Sequence, residues 1–141
     1  MNTGQLIKKY RKMRKLTQVQ LAESCGLTDS AIRNYELGNR TPGDEQLAQI
    51  ADALDVSVEA LREIPLESSR QALELLFRLS DQFSLQPLEK GGELVLAAPE
   101  GTGMDSKLAS ALKAWCKQFD SLEAGGITQA EYDEWKASFG S

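Results

Sequence analysis

The segment LTQVQLAESCGLTDSAIRNYELGNR, from Leu16 to Arg40, leaves the backbone few choices. Thr17 can cap a helix start, and Gln20 stands three residues on, the spacing of a capping box in which side chain and backbone satisfy each other's free donors. Leu21, Ala22 and Cys25 then fall on one apolar face. Gly26 ends that helix where a left-handed residue costs little, and Leu27 plugs the turn. Thr28 can cap a second helix. Ile32, Tyr35 and Glu36 share its inner side, Asp29, Ser30, Arg33 and Asn34 share the other, and Gly38 closes it. The spacing predicts helices over about 17–25 and 28–37.

Two short helices joined by a glycine turn match the helix-turn-helix, whose second helix fits the major groove of B-DNA. The outward side chains have the chemistry for it. Arg33 can bind guanine with two donors, Asn34 can bracket adenine, Ser30 suits several base edges, and Asp29 can accept from cytosine. Tyr35 either fills the core, the favoured reading, or sets its hydroxyl on a phosphate.

The pattern TQxxLAxxxGL followed by T-x-x-x-I-x-x-Y-E-x-G-x-R resembles the phage-repressor (Cro/CI-like) and xenobiotic-response-element (XRE) helix-turn-helix family, over about residues 4–63. The resemblance implies a five-helix, lambda-repressor-like DNA-binding domain. It places Gln18 on a phosphate or a base, and Thr28, Asp29, Ser30, Arg33 and Asn34 in the groove. Asn39 and Arg40 would contact phosphates. It further implies a largely buried ion pair between Arg11 and Glu36, acting to fix register more than to add net stability. Two positions depart from the family. Lys15 stands where many members carry glycine, which implies a tighter or strained first turn. Asp29 stands where glutamine or arginine is commoner, which narrows the base partners.

A net charge of −5 looks wrong for a DNA binder until it is divided. Residues 1–40 carry eight Lys and Arg against three acids, residues 41–65 one against six, and residues 66–141 seven against twelve. Positive charge is confined to the segment that would face DNA, and its distribution matters more than the total. There is no histidine, and the two cysteines, Cys25 and Cys116, stand far apart and read as small buried apolar residues. A zinc site and catalysis through histidine are therefore not expected, nor is any cofactor: no phosphate-binding glycine loop or nucleophile elbow occurs. Gly101-x-Gly103 reads as loop only. The start, MNTGQLIKKYRK, lacks the apolar core of a signal peptide, and no run is long enough to span a membrane, so the cytoplasm is the expected location.

Around the motif, helix 1 is expected over about 3–15, with Ile7, Tyr10 and Arg14 recurring on one side. After Pro42–Gly43 a fourth helix carries Leu47, Ile50, Ala51 and Leu54 at a 3.6-residue period and ends at Asp55, and Ser57 opens a short fifth helix. Pro65 marks the boundary between a DNA-binding domain, 1–65, and a second domain, 66–141. The second domain reads as small and α+β. An amphipathic helix beginning at Ser68 or Ser69 has an apolar face too broad to stand alone. A hairpin turns at Lys90-Gly91-Gly92, and a long helix capped by Asp105 or Ser106 runs to about Glu123. Leu108, Leu112, Trp115, Phe119 and Leu122 form a heptad-like seam along it. Thr128 and Glu131 make a capping box for a last helix whose apolar side is Tyr132, Trp135 and Phe139.

The fold class is thus mainly α, and the expected function is a sequence-specific regulator of transcription: a repressor, bacterial or phage, binding double-stranded DNA as a homodimer on a palindromic operator. The second domain would hold the dimer together or, alternatively, receive a small-molecule or protein effector. From another class comes the reading of an antitoxin or adaptor whose C-terminal domain binds a partner protein, with DNA binding secondary. Neither reading makes the chain an enzyme.

Overall fold

The computed structural model describes residues 1–98 and 106–140. The expected cap at Asp105 or at the side chain of Ser106, and the glycines 101 and 103, lie outside that description. The chain is mainly α with one hairpin: α1 (Thr3–Met13), α2 (Gln18–Cys25), α3 (Asp29–Glu36), α4 (Asp44–Leu54), α5 (Val58–Leu61), α6 (Ser69–Phe83), β1 (Gln86–Lys90), β2 (Glu93–Ala97), α7 (Ser106–Glu123) and α8 (Gln129–Ser138). It divides into two compact units. The first is Met1–Pro65 with the chain from Asp133 onward, and the second is Leu66–Tyr132.

In the first unit four of the five helix starts, those of α1, α2, α3 and α5, carry a side-chain cap, while α4 begins at Gly43 without one. Asn2 with Gln5 and Thr17 with Gln20 form reciprocal capping boxes, and Thr28 and Ser57 accept from the N–H groups of Ala31 and Ala60. Gly26 closes α2 at φ +68°, a left-handed backbone that costs glycine nothing sterically. Ile7, Leu21, Ile32, Ile50, Leu54 and Leu61 are fully buried, one or two from each of the five helices, so every short helix is fixed by the stripe its period creates. Helices α1 and α3 meet at Gly4. A Cβ there would stand 2.0 Å from the Tyr35 carbonyl oxygen, so only hydrogen fits.

Part of α8 packs on this unit. Ala137 of α8 is 1% exposed within the same core, and its carbonyl accepts from Ser57 N–H at 2.8 Å. Arg14, on the inner side of α1, donates to the carbonyls of Leu54 and Asp55 at the C-terminus of α4 and forms a forked pair with Glu134 at 2.6 and 2.7 Å. It supplies donors to carbonyls that α4 cannot satisfy internally.

The second unit is differently built. Ser68 caps α6 as expected, in a box with Gln71, yet none of the α6 side chains is buried. The strands β1 and β2 pair antiparallel from Gln86↔Ala97 to Lys90↔Glu93 and are exposed nearly throughout. Leu85 and Tyr132 are the buried apolar residues of this unit among those described. Tyr132 accepts from Trp115 Nε1 through its hydroxyl at 2.5 Å and meets Phe119 edge-on at 6.3 Å. Cys25 is buried, but Cys116 is exposed, contrary to expectation. The reason is that, among the described residues, too few elements gather here to cover the flank of α7. No described helix is long and apolar enough to cross a membrane.

Candidate nucleic-acid interface

Helix α3 is amphipathic in the sense its function would need. Ile32 is wholly buried and Tyr35 is 5% exposed, while Asp29, Ser30 and Arg33 are exposed and Asn34 is half-buried. Tyr35 therefore belongs to the core. Thr28, also exposed, is committed through its hydroxyl to the α3 cap, accepting from Ala31 N–H at 3.1 Å.

Past the helix the chain folds back on itself. The N–H groups of Asn39 and Arg40 both donate to the Asn34 carbonyl, at 3.0 and 3.3 Å, and Asn39 Nδ2 donates to Asn34 Oδ1 at 3.3 Å. The exposed Asn39 and Arg40 are thus held at the C-terminal end of the strip formed by α3.

What aims this strip is a polar cluster beneath it. Arg11 of α1 pairs with Glu36 of α3 through two bonds, Nε to Oε1 at 2.5 Å and Nη2 to Oε2 at 2.9 Å. Its Nη1 also donates to the Leu16 carbonyl at 2.8 Å. Gln18 of α2 donates to the same Glu36 carboxylate at 2.8 Å. Three helices are therefore tied at one carboxylate whose side chain is 3% exposed. Burial pushes the Glu36 carboxyl up, but the hydrogen bonds from Arg11 and Gln18, with the positive charge of Arg11, outweigh it and hold the group below the ordinary range. The bond to Glu36 in turn raises the Arg11 guanidinium. At Cys25 burial raises the thiol, which suits a core residue and not a reactive one.

Sequence reasoning missed two roles here. Gln18, in this structure, holds Glu36 as well as standing at the start of α2. Arg14 shares the inner side of α1 with Ile7 and Tyr10, and a guanidinium on an apolar stripe had to find acceptors. That was the available signal.

The helix-turn-helix family profile matches residues 7–61. The HTH-type transcriptional regulator YqaE of Bacillus subtilis is 34% identical over 112 residues, covering 79% of this chain and 88% of YqaE. The chain belongs to the XRE, or Cro/CI-type, family of helix-turn-helix transcriptional regulators. This regulator is also 44% identical over 61 residues to the immunity repressor of Bacillus phage phi105, covering 43% of this chain and 42% of that protein. Among solved structures, the P22 c2 repressor in complex with a synthetic operator is 28% identical, with a TM-score of 0.43, covering 45% of this chain and 96% of that one.

Proposed function

We propose that this regulator is a sequence-specific repressor that binds a palindromic operator as a homodimer in the cytoplasm, acting by occupancy and not by catalysis. Residues 1–65, with the segment from Asp133 onward that packs on them, form its DNA-binding domain, and residues 66–132 its dimerisation or effector domain. The reading is carried by the α3 surface: a strip of exposed polar and cationic side chains over a fully buried underside. Arg33 and Asn34 read base edges, with Ser30, Thr28 and Asp29 beside them. Asn39 and Arg40 meet phosphates. Gln18 reaches a phosphate from the start of α2 with Glu36 as its anchor. One domain covers about half a turn of bases, so two copies about 34 Å apart are needed for useful affinity.

Selection of random duplexes with the purified chain tests this, because it returns the site, its symmetry and its half-site spacing together. Arg33→Ala should weaken operator binding by about 1–3 kcal/mol and relax the preference at one base position. Unchanged affinity with unchanged sequence preference would remove Arg33 from the interface. Log affinity should also fall steeply with log salt as several phosphates are neutralised per dimer.

The apolar surface of residues 66–132 supports a second reading, an antitoxin or adaptor that holds a partner protein there. A stoichiometric partner retained at high salt favours it, and a clean homodimer speaks against it.

A further inference from the structure

The hairpin of the second unit is where that surface acquires a direction. Lys90 and Glu93 flank a two-residue loop, Gly91–Gly92, with φ of +62° and +84°, the signature of a type I′ turn. Such a loop makes the flanking pair hydrogen-bonded, and antiparallel pairs then alternate. Leu88↔Val95 and Gln86↔Ala97 are therefore bonded within the hairpin. Glu89↔Leu94 and Pro87↔Leu96 point their backbone groups outward.

The two outer edges are not alike. On β1, Pro87 sits at an outward position and has no N–H to offer, a usual way of blunting an edge. On β2 the outward residues are Leu94 and Leu96, each with an N–H and a C=O, in the apolar sequence ELVLA without proline or lysine. Among the described residues the sheet ends at these two strands, and Leu94 is 89% exposed. An apolar edge that no described residue pairs with, and that carries no proline or lysine, is a template for another strand.

We infer that the β2 edge pairs antiparallel with β2 of a second copy, around a twofold axis at Val95, giving a four-stranded sheet in the order β1-β2-β2-β1. This deepens the homodimer reading and rests on it. The strand complements itself. About that axis Leu94 exchanges both backbone bonds with Leu96 of the second copy. Glu93 comes opposite Ala97, so no like charges meet. Beside Leu94, Val95 and Leu96 stand 39% and 43% exposed, so the strand brings its own apolar surface to the contact. An isologous contact also closes after two copies, so the edge is used up and not propagated.

The geometry supplies its own test. The two Val95 residues would face each other as a non-hydrogen-bonded pair, Cα atoms about 4.5 Å apart, within disulfide reach. The full chain carrying Val95→Cys with Cys116→Ser should cross-link to a dimer on mild oxidation, close to completely. Leu94→Cys with Cys116→Ser should not, because position 94 lies opposite 96. In the unmodified chain, the amides of Leu94 and Leu96 should exchange slowly at concentrations where it sediments as a dimer and rapidly on dilution. A dimer in which Val95→Cys stays unlinked and those amides exchange freely overturns the edge pairing and leaves the homodimer standing. Equal cross-linking at 94 and 95 overturns the register. A chain that stays monomeric while binding its operator overturns the homodimer reading and this inference with it.

Discussion

Residues 1–65 and residues 66–132 are of nearly equal length and use the same device, amphipathic helices with capped starts, but they differ in what they cover. In the first unit five short helices cross, and each apolar stripe meets at least two others, so Ile7, Leu21, Ile32, Ile50, Leu54 and Leu61 lose all contact with solvent. In the second, α6, α7 and a hairpin are too few to surround a centre, and Leu73, Leu76, Phe77, Trp115 and Phe119 remain 42–50% exposed. Pattern alone does not make a core; enough facing surfaces must arrive at one place. The first unit is thus built to stand alone, and the second to be completed by association, since a hairpin and two helices bury too little to offset chain entropy.

The sharpest way to break that comparison is the same truncation on both sides. Leu54→Ala, at a fully buried position, should cost about 2–5 kcal/mol in urea denaturation. Leu76→Ala, 42% exposed, should leave dilute-chain stability within about 0.5 kcal/mol and instead weaken self-association by sedimentation. Equal losses of stability at both sites would mean the second unit has a core of its own.

Next in size is Gly4→Ala. The added methyl meets the Tyr35 carbonyl oxygen, a backbone atom, so α1 or α3 must shift. Overpacking of this kind costs about 1–3 kcal/mol. Because α3 carries Arg33 and Asn34, operator affinity should fall by more than the thermal midpoint alone accounts for. A variant with wild-type melting and binding would show that the helices slide freely at this contact.

A smaller effect follows from Glu36. Its carboxyl is held below the ordinary glutamate range in the folded chain, so the unfolded chain binds the proton more tightly. Its contribution to stability is therefore present above the unfolded value, about pH 4.3, and is lost as pH falls through the lower folded value. The stability difference between the wild type and Glu36→Gln should be largest at neutral pH and shrink on acidification, read from amide exchange at Leu21 and Ile50. A difference that does not change with pH would mean the Arg11 pairing does not depend on ionisation.

Much of the first unit is legible in the sequence alone. Thr17, Gln20, Gly26 and Thr28 are local signals, each acting within four residues, and the α1–α5 stripes announce their own core. The helical and hairpin elements of the second unit were equally legible from Ser68, Gly91–Gly92 and Thr128. What the sequence did not disclose is long-range. That Ala137 enters the first core, and that Arg14 grips Glu134 across 120 positions, depends on where α8 packs. The exposure of Cys116 escapes the sequence for the same reason: a helix period identifies a stripe but not whether anything covers it. At the interface, the outward residues of α3 followed from period and capping. The use of Gln18 as a second donor to Glu36 needed the approach of α2 to α3 in space.

The smallest expected effect tests backbone strain in each half. Lys15 joins α1 to α2 at φ +58°, and Ser84 ends α6 at φ +57°. A side chain in this left-handed region costs roughly 1–2 kcal/mol, and glycine returns roughly 0.5–1 kcal/mol of that as extra freedom in the unfolded chain. Lys15→Gly should therefore stabilise the first unit by roughly 0.5 kcal/mol, at any protein concentration. Ser84→Gly relieves the same strain in a unit whose folding is tied to association. Its gain should appear as a tighter dimer and fade on dilution. Denaturation midpoints of both variants at two concentrations a hundredfold apart separate these cases. If the Ser84→Gly gain survives dilution unchanged, the second unit folds before it associates, and the contrast between the two halves reduces to surface chemistry.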